Sequence, residues 1–192
     1  MTLPTEFLLY IAGLLERLGI PYHVGGSVAS SAHGMYRASA DVDFVIDPTV
    51  DRLEALARAL EAEFYVSHAA MAEAFARRST FNAIHDRTSF KIDFFIKGQA
   101  PFDDEELRRS IRQVVGVERE HTVLLKSPED TILRKLEWYR RGGEVSERQW
   151  QDVLSILAAM RGQLDEEHLD RWSRELDVAD LLDRARGEVA DL

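Results

Sequence analysis

The sequence predicts an α+β protein, a mixed β-sheet with helices packed on it followed by a C-terminal helical bundle. Three observations predict this. Residues 41–46 (DVDFVI) and 90–96 (FKIDFFI) alternate apolar and polar side chains with the period of two that marks a strand. The stretches between such segments carry apolar residues at the spacing of one helix face, and beyond Ser127 only the helical period persists. The expected division is therefore a sheet-bearing domain over residues 1–126 and a helical domain over residues 127–192.

Taken in order, residues 4–18 place Phe7, Leu8, Ile11, Leu14, Leu15 and Leu18 on one helical face, and Gly19 ends that helix. Residues 22–24 form a short strand, Gly25-Gly26-Ser27 a turn, and 27–33 a short helix. After the strand at 41–46, Asp47-Pro48-Thr49 starts a helix whose buried stripe is Leu53, Leu56, Ala57 and Leu60. An edge strand is expected at 64–66 and a helix at 69–77. An antiparallel pair follows, 81–85 with 90–96, joined by the Asp86-Arg87-Thr88 turn. Residues 101–112 read as a loop and short helix, and 114–117 and 122–125 as further strands. Ser127-Pro128-Glu129-Asp130 opens the helical half with an N-cap serine, proline at the first helical position and acids in the first turn. Helices are expected at 128–141, 146–161, 165–176 and 178–186. Trp138, Trp150 and Trp172 read as their core.

Composition narrows the functional classes. The chain has 192 residues, 45% of them hydrophobic, with no apolar run approaching the roughly 20 residues that span a bilayer. Its opening, MTLPTEFLLYIAGLL, suits an amphipathic helix better than a signal peptide, so a soluble, cytoplasmic protein is expected. The absence of cysteine excludes disulfides, thiolate metal sites and a cysteine nucleophile. A net charge of -10 argues against non-specific coating of nucleic acid, which depends on neutralising phosphates with Lys and Arg. The six histidines show no metal-ligand spacing and read as structural.

The chemistry concentrates at residues 24–46. Asp41 and Asp43 project from one face of a strand, Cα atoms roughly 6.6 Å apart, while Val42 points to the other. Two carboxylates held side by side repel unless a cation lies between them, and a hard divalent ion with oxygen ligands is the usual partner. Gly25, Gly26 and Ser27, followed by a helix N-terminus, suit a phosphate cradle. Ser27 also suits an N-cap, a compatible role. Asp93, on an otherwise apolar strand, must be paired or metal-bound if buried; a shared metal with Asp41 and Asp43 and a salt bridge to Lys91 or Arg87 are both open. Arg37 reads as a phosphate contact or as a solvated loop arginine. Lys135, among Ile132, Leu133, Leu136 and Trp138, has a partly covered stem and requires an anion.

The ordered set Gly26-Ser27, Asp41-Val42-Asp43 and Asp93 resembles the nucleotidyltransferase superfamily with the polymerase beta-like catalytic fold. Over most of its length the chain is similar to the bacterial nucleotidyltransferase toxins of abortive-infection and type IV toxin-antitoxin systems. In those toxins a helical lysine and a later aspartate complete the motif set; Lys135 and Asp152 match those places. Gln151 stands where a lysine often precedes that aspartate, and an i, i+4 pairing of Asp152 with Arg148 is the competing reading. The resemblance implies transfer of a nucleoside monophosphate from an NTP such as ATP to an acceptor hydroxyl. It also implies two Mg2+ ions on Asp41, Asp43 and Asp93, a tRNA 3' end or other RNA as acceptor, and a cognate antitoxin as partner. Two other readings stay open: an aminoglycoside or lincosamide nucleotidyltransferase, and a non-catalytic module that binds nucleotide or antitoxin.

Overall fold

The computed structural model describes residues 3–34, 41–115 and 121–190. Two compact units emerge: Met1–Gly25 with Ala38–Lys126, and Gly26–Arg37 with Ser127–Leu192. The first is built on a seven-stranded mixed sheet. Its elements are α1 (Leu3–Arg17), β1 (Tyr22–Val24), β2 (Asp41–Ile46), α3 (Val50–Leu60), β3 (Phe64–Val66), α4 (His68–Arg77), β4 (Thr80–His85), β5 (Lys91–Ile96), α5 (Pro101–Arg108), β6 (Ile111–Val114) and β7 (Thr122–Leu125). The strands run in the order β3-β4-β5-β2-β1-β7-β6. β2 pairs in parallel with β5, and β1 with β7, while the other neighbours are antiparallel.

The central strands form because every second residue is large and apolar. Val42, Phe44 and Ile46 of β2 and Ile92, Phe94 and Ile96 of β5 are buried, and their intervening residues are half-buried. Phe94 stacks on Phe44 at 5.9 Å and on Phe81 at 4.9 Å, tying β2, β5 and β4 through one aromatic row. Each buried ring contributes about 2 kcal/mol from removal of apolar surface, and the pairs add specificity of geometry. The α1 face places Phe7, Leu8, Ile11, Leu14 and Leu15 in the core as its spacing requires. Gly19 ends that helix at φ 63, and Leu18 is half-buried. In α3 the expected stripe of Leu53, Leu56, Ala57 and Leu60 is buried, and the Thr49 side chain caps the helix through the Arg52 amide.

The strand expected at 114–117 runs into residues 116–120, which lie outside the described residues, and shares Val114 with an observed strand. β6 occupies Ile111–Val114, with all four residues exposed. An edge strand that buries neither face has no apolar alternation to announce it. Its anchors are the antiparallel register with β7 and the Arg112 guanidinium, which donates to Thr122 Oγ1 at 3.2 Å and lies 3.3 Å from Glu16 Oε1.

The second unit is helical: α2 (Gly26–His33), α6 (Pro128–Arg141), α7 (Glu147–Ala159), α8 (Glu166–Glu175) and α9 (Ala179–Ala190). Ser127, Ser146 and Asp165 cap α6, α7 and α8 by accepting from the amides of Asp130, Gln149 and His168. Ile132, Leu133, Leu136, Val153, Leu169 and Leu182 form its interior. The acids in the first turn of α6 do more than offset the helix dipole. Glu129 accepts the Asp165 amide at 2.9 Å, and Asp130, fully buried, pairs with His168 Nε2 at 2.7 Å. Trp150 and Trp172 are core residues, but Trp138 is 51% exposed. It lies off the face that carries Leu133 and Leu136 inward, and the Arg141 guanidinium covers its ring at 5.5 Å.

Candidate active site

The carboxylates of the sheet unit are positioned by strand register alone. Across the parallel pair β2 and β5, Asp43 lies opposite Asp93 and Asp41 opposite Lys91. Because side chains alternate along a strand, Asp41, Asp43, Lys91 and Asp93 share one face, and the aromatic and aliphatic partners between them share the other. On the far side of β5, Asn82 of β4 is the cross-strand partner of Asp93. The row Asp43, Asp93, Asn82 therefore runs across three adjacent strands. Asn82 belongs to none of the sequence motifs, and its place in the alternation of TFNAIH, polar between buried Phe81 and Ala83, is the signal that marks it.

Lys91 lies within this group. Its ammonium donates to Asp93 Oδ2 in an ion pair in which the lysine side chain is 44% exposed and the aspartate 17%. The hydrogen bond with Asp93 raises the lysine pKa above its ordinary value. Burial opposes that shift, and the charges of Asp93, Asp41 and Asp43 reinforce it. Of the two salt-bridge partners open to Asp93, Lys91 and Arg87, Lys91 is the one that pairs with it.

The end of β1 is tied to the same strands. The Gly25 amide donates to the Asp43 carbonyl at 3.0 Å, and the Lys126 amide to the Val24 carbonyl at 2.9 Å. The two glycines differ. Gly26 has φ 54, a conformation that L side chains adopt only with strain. Gly25 is outside that region, and among the described residues a Cβ there would meet only Lys126 Cε, at an ordinary 3.8 Å. Lys126 itself is buried in an ion pair with Glu106 at 2.7 Å.

In the helical unit Gly26 opens α2, Ser27 is 5% exposed, and the Ser30 hydroxyl donates back to the Gly26 carbonyl at 2.8 Å. Lys135 of α6 reaches Asp152 of α7 at 2.7 Å and Gln149 at 3.1 Å. The anion that Lys135 requires is thus the Asp152 carboxylate, and Asp152 meets Lys135 across the helix pair. Other cations of α6 are also engaged: Arg134 and Arg141 with Glu137, and Arg140 with Asp180. Arg37 lies outside the described residues.

The donor set of Asp41, Asp43 and Asp93 consists of carboxylate oxygens on one sheet face, the chemistry that suits a hard divalent cation. Among the described residues no three His, Asp or Glu side chains converge into a preformed metal cage. Lys91 brings a positive charge to this face through its ion pair with Asp93.

The family described as nucleotidyl transferase AbiEii toxin, type IV toxin-antitoxin system, matches residues 24–186. The chain belongs to the AbiEii nucleotidyltransferase toxin family. This AbiEii-family chain is accordingly a nucleotidyltransferase, and the match runs through both units. No curated protein matches its sequence significantly. Among solved structures it is similar to an antigenic nucleotidyltransferase-like protein from Paracoccidioides brasiliensis, with 18% identity, a TM-score of 0.57, and coverage of 93% of this chain and 91% of that one. It is also similar to the antibiotic-resistance factor ANT(2'')-Ia, with 16% identity, a TM-score of 0.55, and coverage of 97% and 94%. The same factor in complex with adenylyl-2''-tobramycin gives 11% identity, a TM-score of 0.52, and coverage of 92% and 98%. At these identities the likeness is one of fold. Among the described residues no helix of the AbiEii-family chain is long and apolar enough to cross a membrane.

Proposed function

We propose that this AbiEii-family enzyme transfers a nucleoside monophosphate from an NTP to a hydroxyl of RNA, at the 3' end of tRNA, releasing pyrophosphate. It does so as the toxin of a toxin-antitoxin pair. The observation that carries the reading is the register of β2 on β5, which sets Asp43 beside Asp93 with Asp41 on the same face, in a chain of a nucleotidyltransferase toxin family.

In this proposal Asp41, Asp43 and Asp93 hold two Mg2+ ions. Bound there, the ions would supply Lewis-acid activation of the acceptor hydroxyl and charge neutralisation on the triphosphate. Asp93 is also the group to accept the acceptor's proton. Gly25, Gly26, Ser27 and the first amides of α2 hold the triphosphate, the helix N-terminus favouring negative charge. Gly25 supports this role because packing among the described residues does not explain its missing side chain. Lys135, steadied by Asp152, offsets charge that builds on the phosphates, and Arg37 is a further phosphate contact. With a net charge of -10 and the arginines of α6 already paired, RNA is engaged at its terminus rather than coated along its length.

The test is transfer of label from each α-labelled NTP, with magnesium, into total cellular RNA and into a panel of aminoglycosides, for wild type and Asp43→Asn in parallel. Labelled RNA with the wild type, reduced about 100-fold or more in the variant, is the expected result. Label on an aminoglycoside would replace RNA by a small-molecule acceptor. NTP binding without transfer to either would leave a nucleotide-binding module.

A further inference from the structure

We propose that Lys91 is a positioning residue that acts as a resident counter-cation of the carboxylate face, and that its ammonium competes with a divalent ion for those carboxylates. The inference rests on the reading of Asp41, Asp43 and Asp93 as the metal-binding carboxylates and adds to it the residue that sets their affinity.

Three observations converge on Lys91. It lies two residues before Asp93 on β5, so both side chains rise from the same face. It is the cross-strand partner of Asp41, in the same register that pairs Asp43 with Asp93. Its ammonium is hydrogen-bonded to Asp93 Oδ2, on one of the carboxylates assigned to the metal. Without a cation, three carboxylates on neighbouring register positions repel one another, and the lysine relieves that repulsion. A divalent ion and the ammonium draw on the same carboxylate charge and repel each other, so binding the one weakens the contact of the other.

Lysine suits an exchange of this kind. Its charge is compact and carried on a flexible four-carbon stem, whereas arginine would clamp a carboxylate through two parallel bonds. With 44% of its side chain exposed, Lys91 has solvent into which it can turn once the ion arrives. The positive charge then stays close to the sheet face and keeps affinity for a bare metal ion low. A metal that arrives with a polyphosphate brings its own negative charge and is penalised less. The site would therefore discriminate in favour of the metal-nucleotide complex over the free ion.

The decisive experiment titrates Mn2+ into wild type, Lys91→Met, Lys91→Arg and Asp43→Asn, following free Mn2+ by its electron paramagnetic resonance signal, with thermal melting recorded without metal and with saturating Mn2+. Lys91→Met is expected to bind Mn2+ at least about fivefold more tightly than wild type, the size of one like charge removed from beside the ion. It should also melt lower without metal and recover when Mn2+ is added. Lys91→Arg, which keeps the charge, should bind no more tightly than wild type. Equal affinity in wild type and Lys91→Met, with binding abolished by Asp43→Asn, would overturn the counter-cation role while leaving the metal site standing. Mn2+ binding unchanged by Asp43→Asn would overturn the metal reading and this inference with it. A Lys91→Met chain that fails to fold is replaced by Lys91→Gln in the same comparison.

Discussion

At the scale of single residues, the two glycines of the turn separate a structural demand from a functional one. Gly26 at φ 54 is required by the backbone, and Gly26→Ala should destabilise the protein by about 1 kcal/mol, read from the shift of its urea midpoint. Gly25 has an ordinary φ, and among the described residues a methyl group there meets one lysine carbon at 3.8 Å. Gly25→Ala should leave the melting temperature within a few degrees of wild type yet raise KM for NTP. An unchanged KM would remove Gly25 from the phosphate turn. Asp130 shows the opposite case, a carboxylate with a structural task. It is fully buried against His168, so Asp130→Ala, which strands the histidine, should cost about 3 kcal/mol in chemical denaturation. Nothing in SPED announces this, because the residue that makes the aspartate buried lies in α8, far along the chain.

Among the elements, β1 is the shortest central strand, and Tyr22 supplies much of its anchorage. The phenol accepts from the Leu124 amide at 3.4 Å and donates to Glu16 at 3.2 Å, while its ring packs on Phe44. Burial, the largest cause, pushes its pKa from 10.0 up to about 12. The folded state thus keeps the proton that the unfolded chain gives up first. The stabilisation is complete below pH 10 and is lost as pH rises from there through about 12. Stability of the wild type should fall more steeply over that interval than stability of Tyr22→Phe, measured by denaturant midpoint at matched pH values. The helices α6 and α7 make a related point. Both follow from caps and apolar spacing in the sequence, but the contact of Lys135 with Asp152 follows only from how the two helices face each other. Asp152 has Arg148 at helical spacing on its own helix and meets Lys135 of the neighbouring one instead.

For the molecule as a whole, the proposed toxin activity has a cellular signature. Expression of the wild-type chain without an antitoxin should arrest growth, and expression of Asp43→Asn at equal abundance should not, followed by culture density after induction. Arrest by both would point to a cause other than catalysis by the carboxylate face. Much of the architecture behind this was legible in the chain. Alternation placed β2 and β5, helical spacing and caps placed α1, α3 and the C-terminal helices, and Gly26-Ser27 with Asp-x-Asp and Asp93 pointed to the nucleotidyltransferase family. What escaped was either exposed or non-local. β6 buries no face and so has no periodic signature, and Trp138 is apolar yet lies on the outward side of α6. By itself the sequence determined which residues lie on which face of each strand and helix, because side-chain direction follows from a local backbone period. Only the tertiary structure decided which faces meet: Asp43 beside Asp93, Lys91 among the carboxylates, Asn82 next in the row, and Asp130 against His168. Strand register and helix docking are set by the packing of residues distant in the chain, and no local period encodes them.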